Sequence, residues 1–391
     1  MDRFNENTCW IAIAHLPGWH VERINRLIIR VTHDNNLRWG DFFALDKKGW
    51  SALFAFTDKE LGDLENVRND LPKLAFLAEQ LNNEGFLLIP INSPDYPPVL
   101  KENLKTSKAP PVIYIKGRKT LLSEDAVAIV GSRKAGRSAL EFTDQVAKKC
   151  ALASKVVVSG FAKGVDRQAL ESTLEAGGKS IIVLPQGILT FQSGFKKYYE
   201  PIVRGEVLVL STFFPKAGWD VGLAMARNHI IYGLAKEIFV AETDSQGGTW
   251  EGALSGLKRG RSIFARLPAQ GEKNANLKLL GLGAKAVDEN GNEVPYIAQG
   301  PASLFEGSTK VSVSEEAPRF EKPEGERNIE TEILALLEKG AYTTREILLA
   351  LRLDWDGRKL SRFLKNHPAV KTTGEIPLRY TRNDQTTFSF F

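Results

Sequence analysis

Between residue 125 and about 295 the chain alternates short, unbroken apolar runs with amphipathic stretches. The runs 126–130, 155–159, 180–184, 206–210, 237–241 and 262–266 lack polar alternation, the pattern of strands buried on both faces. Helical stretches fit between most of them, at 138–152, 166–176, 221–234 and 250–258. This βα alternation predicts an α/β fold with a doubly wound, mostly parallel sheet. In such a sheet ligands sit beyond the carboxyl ends of the strands, where strand order reverses.

The flanking regions follow other patterns. Residues 1–85 read as a helical domain, with Ile24, Leu27, Ile28 and Val31 at helical spacing and further helices over 58–64 and 71–83. The Leu16-Pro-Gly18 turn fits a helix-hairpin-helix that grips a DNA backbone through its N–H groups, or a plain helix corner. Residues 86–300 hold the sheet, led by short strands at 86–90 and 110–117 on either side of the helix breakers Pro94, Pro97 and Pro98. Residues 301–327 turn to Ser, Glu, Pro and Gly and read as a flexible linker. Residues 328–391 predict a helix over 329–337, a second opened by Thr343 as N-cap and running to 351, and a third from Asp356 to Leu364. With a hairpin about Gly374 they make a winged-helix-like domain. Arg358, Lys359, Arg362 and Lys365 on its third helix suit a DNA groove, a solvated face or a protein contact.

Charge and cysteine content narrow the classes. The formal net charge of +5 and pI near 9.0 permit a polyanionic partner without requiring one. Cys9 and Cys150, the only cysteines, are too few for a disulfide framework or a zinc site. No apolar run approaches the ~20 residues of a membrane span, and the N-terminus lacks a charged region leading into an apolar one. A reduced, cytoplasmic protein with no metal, no cofactor and no membrane partner is expected.

The candidate chemistry lies in glycine turns after the apolar runs. Gly131-Ser-Arg-Lys-Ala-Gly-Arg-Ser138 has the Walker A spacing, but Arg137 stands where lysine is required. The dinucleotide fingerprint fails too, since the second run ends in Ser159-Gly160 rather than an acid for a ribose. Ser159-Gly-Phe-Ala-Lys-Gly-Val-Asp166 is a second anion loop, with Asp166 placed to cap the next helix and Lys163 either on the ligand or solvated. Arg227-Asn-His229 sits in an apolar helix, where the Arg-Asn pair reaches a phosphate or base edge, or lies on a surface turn. In Gln246-Gly-Gly-Thr-Trp-Glu251, Thr249 caps or binds phosphate, Trp250 stacks on a base or is buried, and Glu251 is the acid placed as a general base near a bound sugar. Gly131, Ser132, Arg133, Gly160, Lys163, Gly164, Arg227, Asn228, Gly247, Gly248 and Thr249 are therefore expected to form one phosphate-binding crest.

With these motifs in order, the chain resembles the DprA/Smf family of DNA-processing proteins. The matching pieces include Pro94-Asp-Tyr-Pro-Pro98, Val127-Ala-Ile-Val-Gly-Ser-Arg133, the 159–166 loop, Ala226-Arg-Asn-His-Ile-Ile231 and Arg259-Gly-Arg261, across about residues 85–290. The resemblance implies a Rossmann-like core that binds single-stranded DNA without catalysis, protects it and loads a RecA-type recombinase in natural transformation or recombination. It also implies a homodimer, with Arg133, Lys163, Arg227 and Asn228 in the DNA pocket. The departures are His229 in place of a second arginine, Gly247-Gly-Thr249 in place of Ser-Gly-Ser, and Phe191-Gln-Ser-Gly-Phe-Lys-Lys197 after the third strand. There Lys196 or Lys197 is expected to supply a further charge. The partial match of Gly247-Gly-Thr-Trp-Glu251 to the turn of the related LOG phosphoribohydrolases leaves a nucleotide-binding sensor or hydrolase, with Glu251 catalytic, as the alternative.

Overall fold

The computed structural model describes residues 5–296 and, nearer the C-terminus, 329–338, 340–351 and short stretches between 360 and 382. Two compact units result, Met1–Phe305 and Glu306–Phe391.

The first unit opens with a helical head: α1 (Glu6–Ala14), α2 (Val21–Ile29), α3 (Trp39–Ala44), α4 (Lys47–Phe54) and α5 (Asp58–Asn83). Two helices expected over 58–64 and 71–83 are one. Leu61, Leu64, Val67, Leu71, Leu77, Ala78 and Leu81 form a single buried stripe through Pro72. Burying each such side chain is worth about 1.5–3 kcal/mol, which outweighs the ~3 kcal/mol cost of an interior proline. Thr57 and Glu60 close a capping box at the helix start. Then come β1 (Leu87–Pro90), α6 (Pro98–Lys108) and β2 (Val112–Lys116).

The sheet proper runs β3 (Ala126–Val130), α7 (Arg137–Leu152), β4 (Val156–Ser159), α8 (Val165–Glu175), β5 (Lys179–Val183), α9 (Gln192–Lys197), α10 (Tyr199–Val203) and β6 (Val207–Ser211). It continues through α11 (Val221–Leu234), β7 (Glu237–Val240), α12 (Gly248–Lys258), β8 (Ser262–Arg266), α13 (Asn276–Gly281) and β9 (Lys285–Val287). The nine strands lie in the order β1-β2-β6-β5-β4-β3-β7-β8-β9. The β1–β2 and β2–β6 pairs are antiparallel and the others parallel. The chain moves from β3 outward to β6, then returns to lay β7 along the other side of β3. The doubly wound, mostly parallel α/β fold expected from the apolar runs is thus present, with its order reversing between β3 and β7.

All five residues of β3 are buried, which explains its lack of polar alternation. Successive strand residues feed opposite faces. Ile181 and Val183 pack with α6 and α11 on one face, and Ile182 packs with the head on the other. The head and the sheet therefore share one core.

In the second unit, α14 (Ile329–Leu337), α15 (Thr344–Leu351) and the antiparallel pair β10 (Val370–Thr372) and β11 (Tyr380–Arg382) bury Ile333, Leu337, Ile347, Leu360, Leu364 and Tyr380. Thr343 caps α15 as expected, accepting from the Glu346 N–H while the Glu346 carboxylate accepts from its own. The linker, Arg358, Lys359, Arg362, Lys365 and the hairpin tip lie outside the described residues, so the winged-helix expectation is not decided.

Candidate nucleic-acid interface

A cleft of about 470 Å³ opens at the reversal point, beyond the carboxyl ends of β3 and β7. Gly131, Ser132, Arg133 and Lys134 form one wall, Met225, Asn228 and Tyr232 of α11 a second, and Gln246, Gly247, Gly248 and Thr249 a third. The walls are tied together. The Thr249 hydroxyl donates to the Gly131 carbonyl at 3.1 Å, and the Tyr232 hydroxyl donates to the Thr249 carbonyl at 3.1 Å.

The 159–166 loop docks onto the Gly131–Arg133 loop through Gly164. This residue has φ +76°, and a Cβ there would lie 2.4 Å from the Ser132 carbonyl oxygen. Lys163 is exposed on that docked loop but does not itself line the cleft. Phe161 takes φ 64°, unusual for an aromatic residue. It is held between Phe191 and Tyr198, with ring centroids 4.9 and 5.6 Å away, under the Arg167 guanidinium.

Arg227 also lines the cleft, but at its buried floor: its side chain is 3% exposed. The guanidinium donates to the Val183 carbonyl at 3.3 Å and lies 3.7 Å from the Asp166 carboxylate. The close approach that needs glycine at position 160 is that of this guanidinium: a Cβ on Gly160 would fall on its Nη1. Burial, and only then the charge of Arg133, lowers the Arg227 pKa, while Asp166 opposes the shift. Burial likewise raises the Asp166 pKa against the pull of Arg227.

Asp166 does not cap its helix. Gly164 occupies the cap position of α8, and the Asp166 carboxylate reaches back to accept from the Ala162 N–H at 3.3 Å. A second acid, Glu242, accepts from the Gly136 N–H at 3.2 Å where α7 begins. One amide at each of these two turns is therefore taken by the protein's own carboxylate.

At the start of α12 Gly247 is the N-cap and, as at α7 and α8, no side chain caps it. Its first-turn amides and the positive end of its dipole open onto the cleft. Arg133 is exposed at the cleft with no carboxylate within 4 Å, among the described residues. Lys134 and Asp244, unremarked in the sequence, also line it. Their signal was position, since both stand in loops that follow strands at the reversal point.

Lys196 and Lys197 do not join this site. Lys197 pairs with Glu171 at 2.8 Å, and neither lysine lines the cleft. Glu251 is exposed and also absent from the lining, and Trp250 is half-buried against the core beside β8.

A cleft at the reversal point of a doubly wound sheet, with an open helix N-terminus and an unpaired arginine on it, is where α/β proteins of this class place a ligand. The family described as DNA recombination-mediator protein A matches residues 87–296, more than half of the chain. The chain belongs to this family of DNA-processing proteins, as the resemblance implied. Protein Smf of Synechocystis is 28% identical over 297 residues, 72% of this chain and 70% of that protein. DNA processing protein DprA of Streptococcus pneumoniae is 33% identical over 158 residues, 40% of this chain and 55% of the relative. The solved structure of the S. pneumoniae protein superposes with a TM-score of 0.52 at 24% identity, covering 73% of this chain and 95% of that one, a likeness of fold.

No helix among the described residues is long and apolar enough to cross a membrane, and no cluster of His, Cys, Asp or Glu there suits a metal ion.

Proposed function

We propose that the cleft at the β3–β7 reversal point binds single-stranded DNA. The observation that carries the reading is the placement of Arg133, exposed and without a carboxylate partner, on the same cleft as the uncapped N-terminus of α12. In this reading the guanidinium and the amides of Gly248 and Thr249 hold phosphate oxygens. Ser132 and Asn228 supply further polar contacts, and Lys163 adds charge from the docked loop. Arg227 acts as a positioning residue. It braces Gly160 and Asp166 beneath the crest and leaves the direct contact to Arg133.

The finer steps belong to the same proposal. The chain would bind without catalysis, shield the strand and hand it to a RecA-type recombinase, acting as a homodimer. Membership of a recombination-mediator family supports the hand-off. A phosphoribohydrolase reading needs Glu251 beside a bound sugar, and the exposure of that side chain outside the cleft lining weighs against it.

Side-by-side titration of single-stranded and duplex oligonucleotides at two salt concentrations tests the reading. Tighter binding of the single strand, weakening as salt rises, is expected. Equal affinity for both forms, or binding indifferent to salt, would reject it.

A further inference from the structure

A second basic cleft lies away from the reversal point, between the end of α6 and the end of α12. Lys105, Ser107, Arg259 and Arg261 line it, together with Glu102 and Asn103. Among the described residues no carboxylate comes within 4 Å of Lys105, Arg259 or Arg261, whereas many surface lysines and arginines are paired.

The backbone at this cleft is unusual. Lys105 interrupts α6 with φ 57° and ψ 176°, a region that is essentially reserved for glycine. The head holds the turn in place. The buried side-chain amide of Asn25, on α2, donates to the carbonyls of both Thr106 and Ala109, at 2.7 and 2.8 Å. A strained lysine, braced from another element and left without a counter-charge, is the kind of feature found at ligand clamps.

The two clefts lie at the two ends of one helix, α12. Gly248 and Thr249 at its start line the reversal-point cleft, and Arg259, next after its last residue, lines the second. The 11 residues of α12 span about 16 Å at ~1.5 Å per residue.

We propose that Lys105 and Arg259 form a second phosphate-binding site that holds the same single strand after it leaves the reversal-point cleft and follows α12. Arg261 positions this site, since its guanidinium donates to the Ala235 carbonyl. The inference rests on the reading of the first cleft as a single-strand site. A strand that reaches both clefts falls within the ~4–16 nucleotides typical of single-strand modules.

Length separates the two sites. Binding of dT4 and dT16 to the full chain is measured across a salt series, for the unmodified protein and for the Lys105→Gly/Arg259→Ala variant. Glycine accepts the backbone angles at position 105, so the variant keeps its fold. The variant is expected to bind dT16 roughly tenfold more weakly, with the slope of log K against log salt reduced by about 1.4, or ~0.7 per lost phosphate contact. Its affinity for dT4 stays the same, and Lys105→Arg/Arg259→Lys restores dT16 binding. An unchanged dT16 affinity and slope, or an equal loss on both lengths, would overturn the second site while leaving the first. Failure of the unmodified chain to bind either oligonucleotide would remove both.

Discussion

Asp166→Asn puts the architecture beneath the crest under a direct test. The substitution keeps the side-chain shape and removes the only carboxylate, among the described residues, within 4 Å of the Arg227 guanidinium. Arg227 is 3% exposed, its remaining polar partner is the Val183 carbonyl, and its Nε has no partner. Removing one member of a buried ion pair typically costs about 3–5 kcal/mol, because the other charge is left uncompensated. Here the low end applies. The pair is loose at 3.7 Å, and the guanidinium lines a cleft into which it can swing to meet water. A loss of about 3 kcal/mol is expected, read by urea unfolding alongside hydrogen exchange of the β4 and β5 amides, which reports on the sheet separately from the C-terminal unit. Asp166→Asn/Arg227→Met removes both charges and fills the space with apolar atoms, so it should recover most of that loss. The freed guanidinium of the single variant should also strengthen binding of oligo-dT, and the double variant should not. A cost below about 1 kcal/mol for Asp166→Asn, or a double variant less stable than the single, would refute the reasoning.

Two further outcomes follow from the head. Pro72 is exposed inside α5, so Pro72→Ala should stabilise the protein by roughly 1–3 kcal/mol by restoring a backbone hydrogen bond, read as a higher urea midpoint. Burial lowers the His15 pKa from 6.5 to about 4, and the ring is bonded to the Tyr114 hydroxyl at 2.9 Å. Between those values the unfolded chain binds the proton and the folded chain does not, so stability falls as pH drops through that window. His15→Gln should flatten the fall by an amount on the order of 2–3 kcal/mol in urea unfolding across pH 4–7; an unchanged profile would show that His15 carries none of it.

What could be read from the chain alone depended on range. The runs 126–130 and 262–266 appear as β3 and β8 at those bounds, since a strand buried on both faces has little choice of residue. Strand β9 has three residues and went unread, because so short a run is indistinguishable from loop. Gly131, Arg133, Asn228 and Thr249 were brought to one cleft by a rule of topology that needs only the strand order. The fate of individual charges was not legible. Whether Arg227 faces ligand or core depends on Asp166 and Val183, which approach it only after the sheet forms. The same is true of Lys197, whose partner Glu171 lies on a different helix. An arginine in the mostly apolar helix 221–234 was the one available hint, because the apolar face of such a helix is a buried one.

The central claim is that Arg133 grips the phosphates of a single strand at the reversal-point cleft. The most direct measurement is the affinity of the full chain and of Arg133→Ala for oligo-dT across a salt series. The variant should lose about 1–3 kcal/mol, as for a charged hydrogen bond, and its salt slope should shrink by about 0.7. An unchanged affinity together with an unchanged slope would contradict the account.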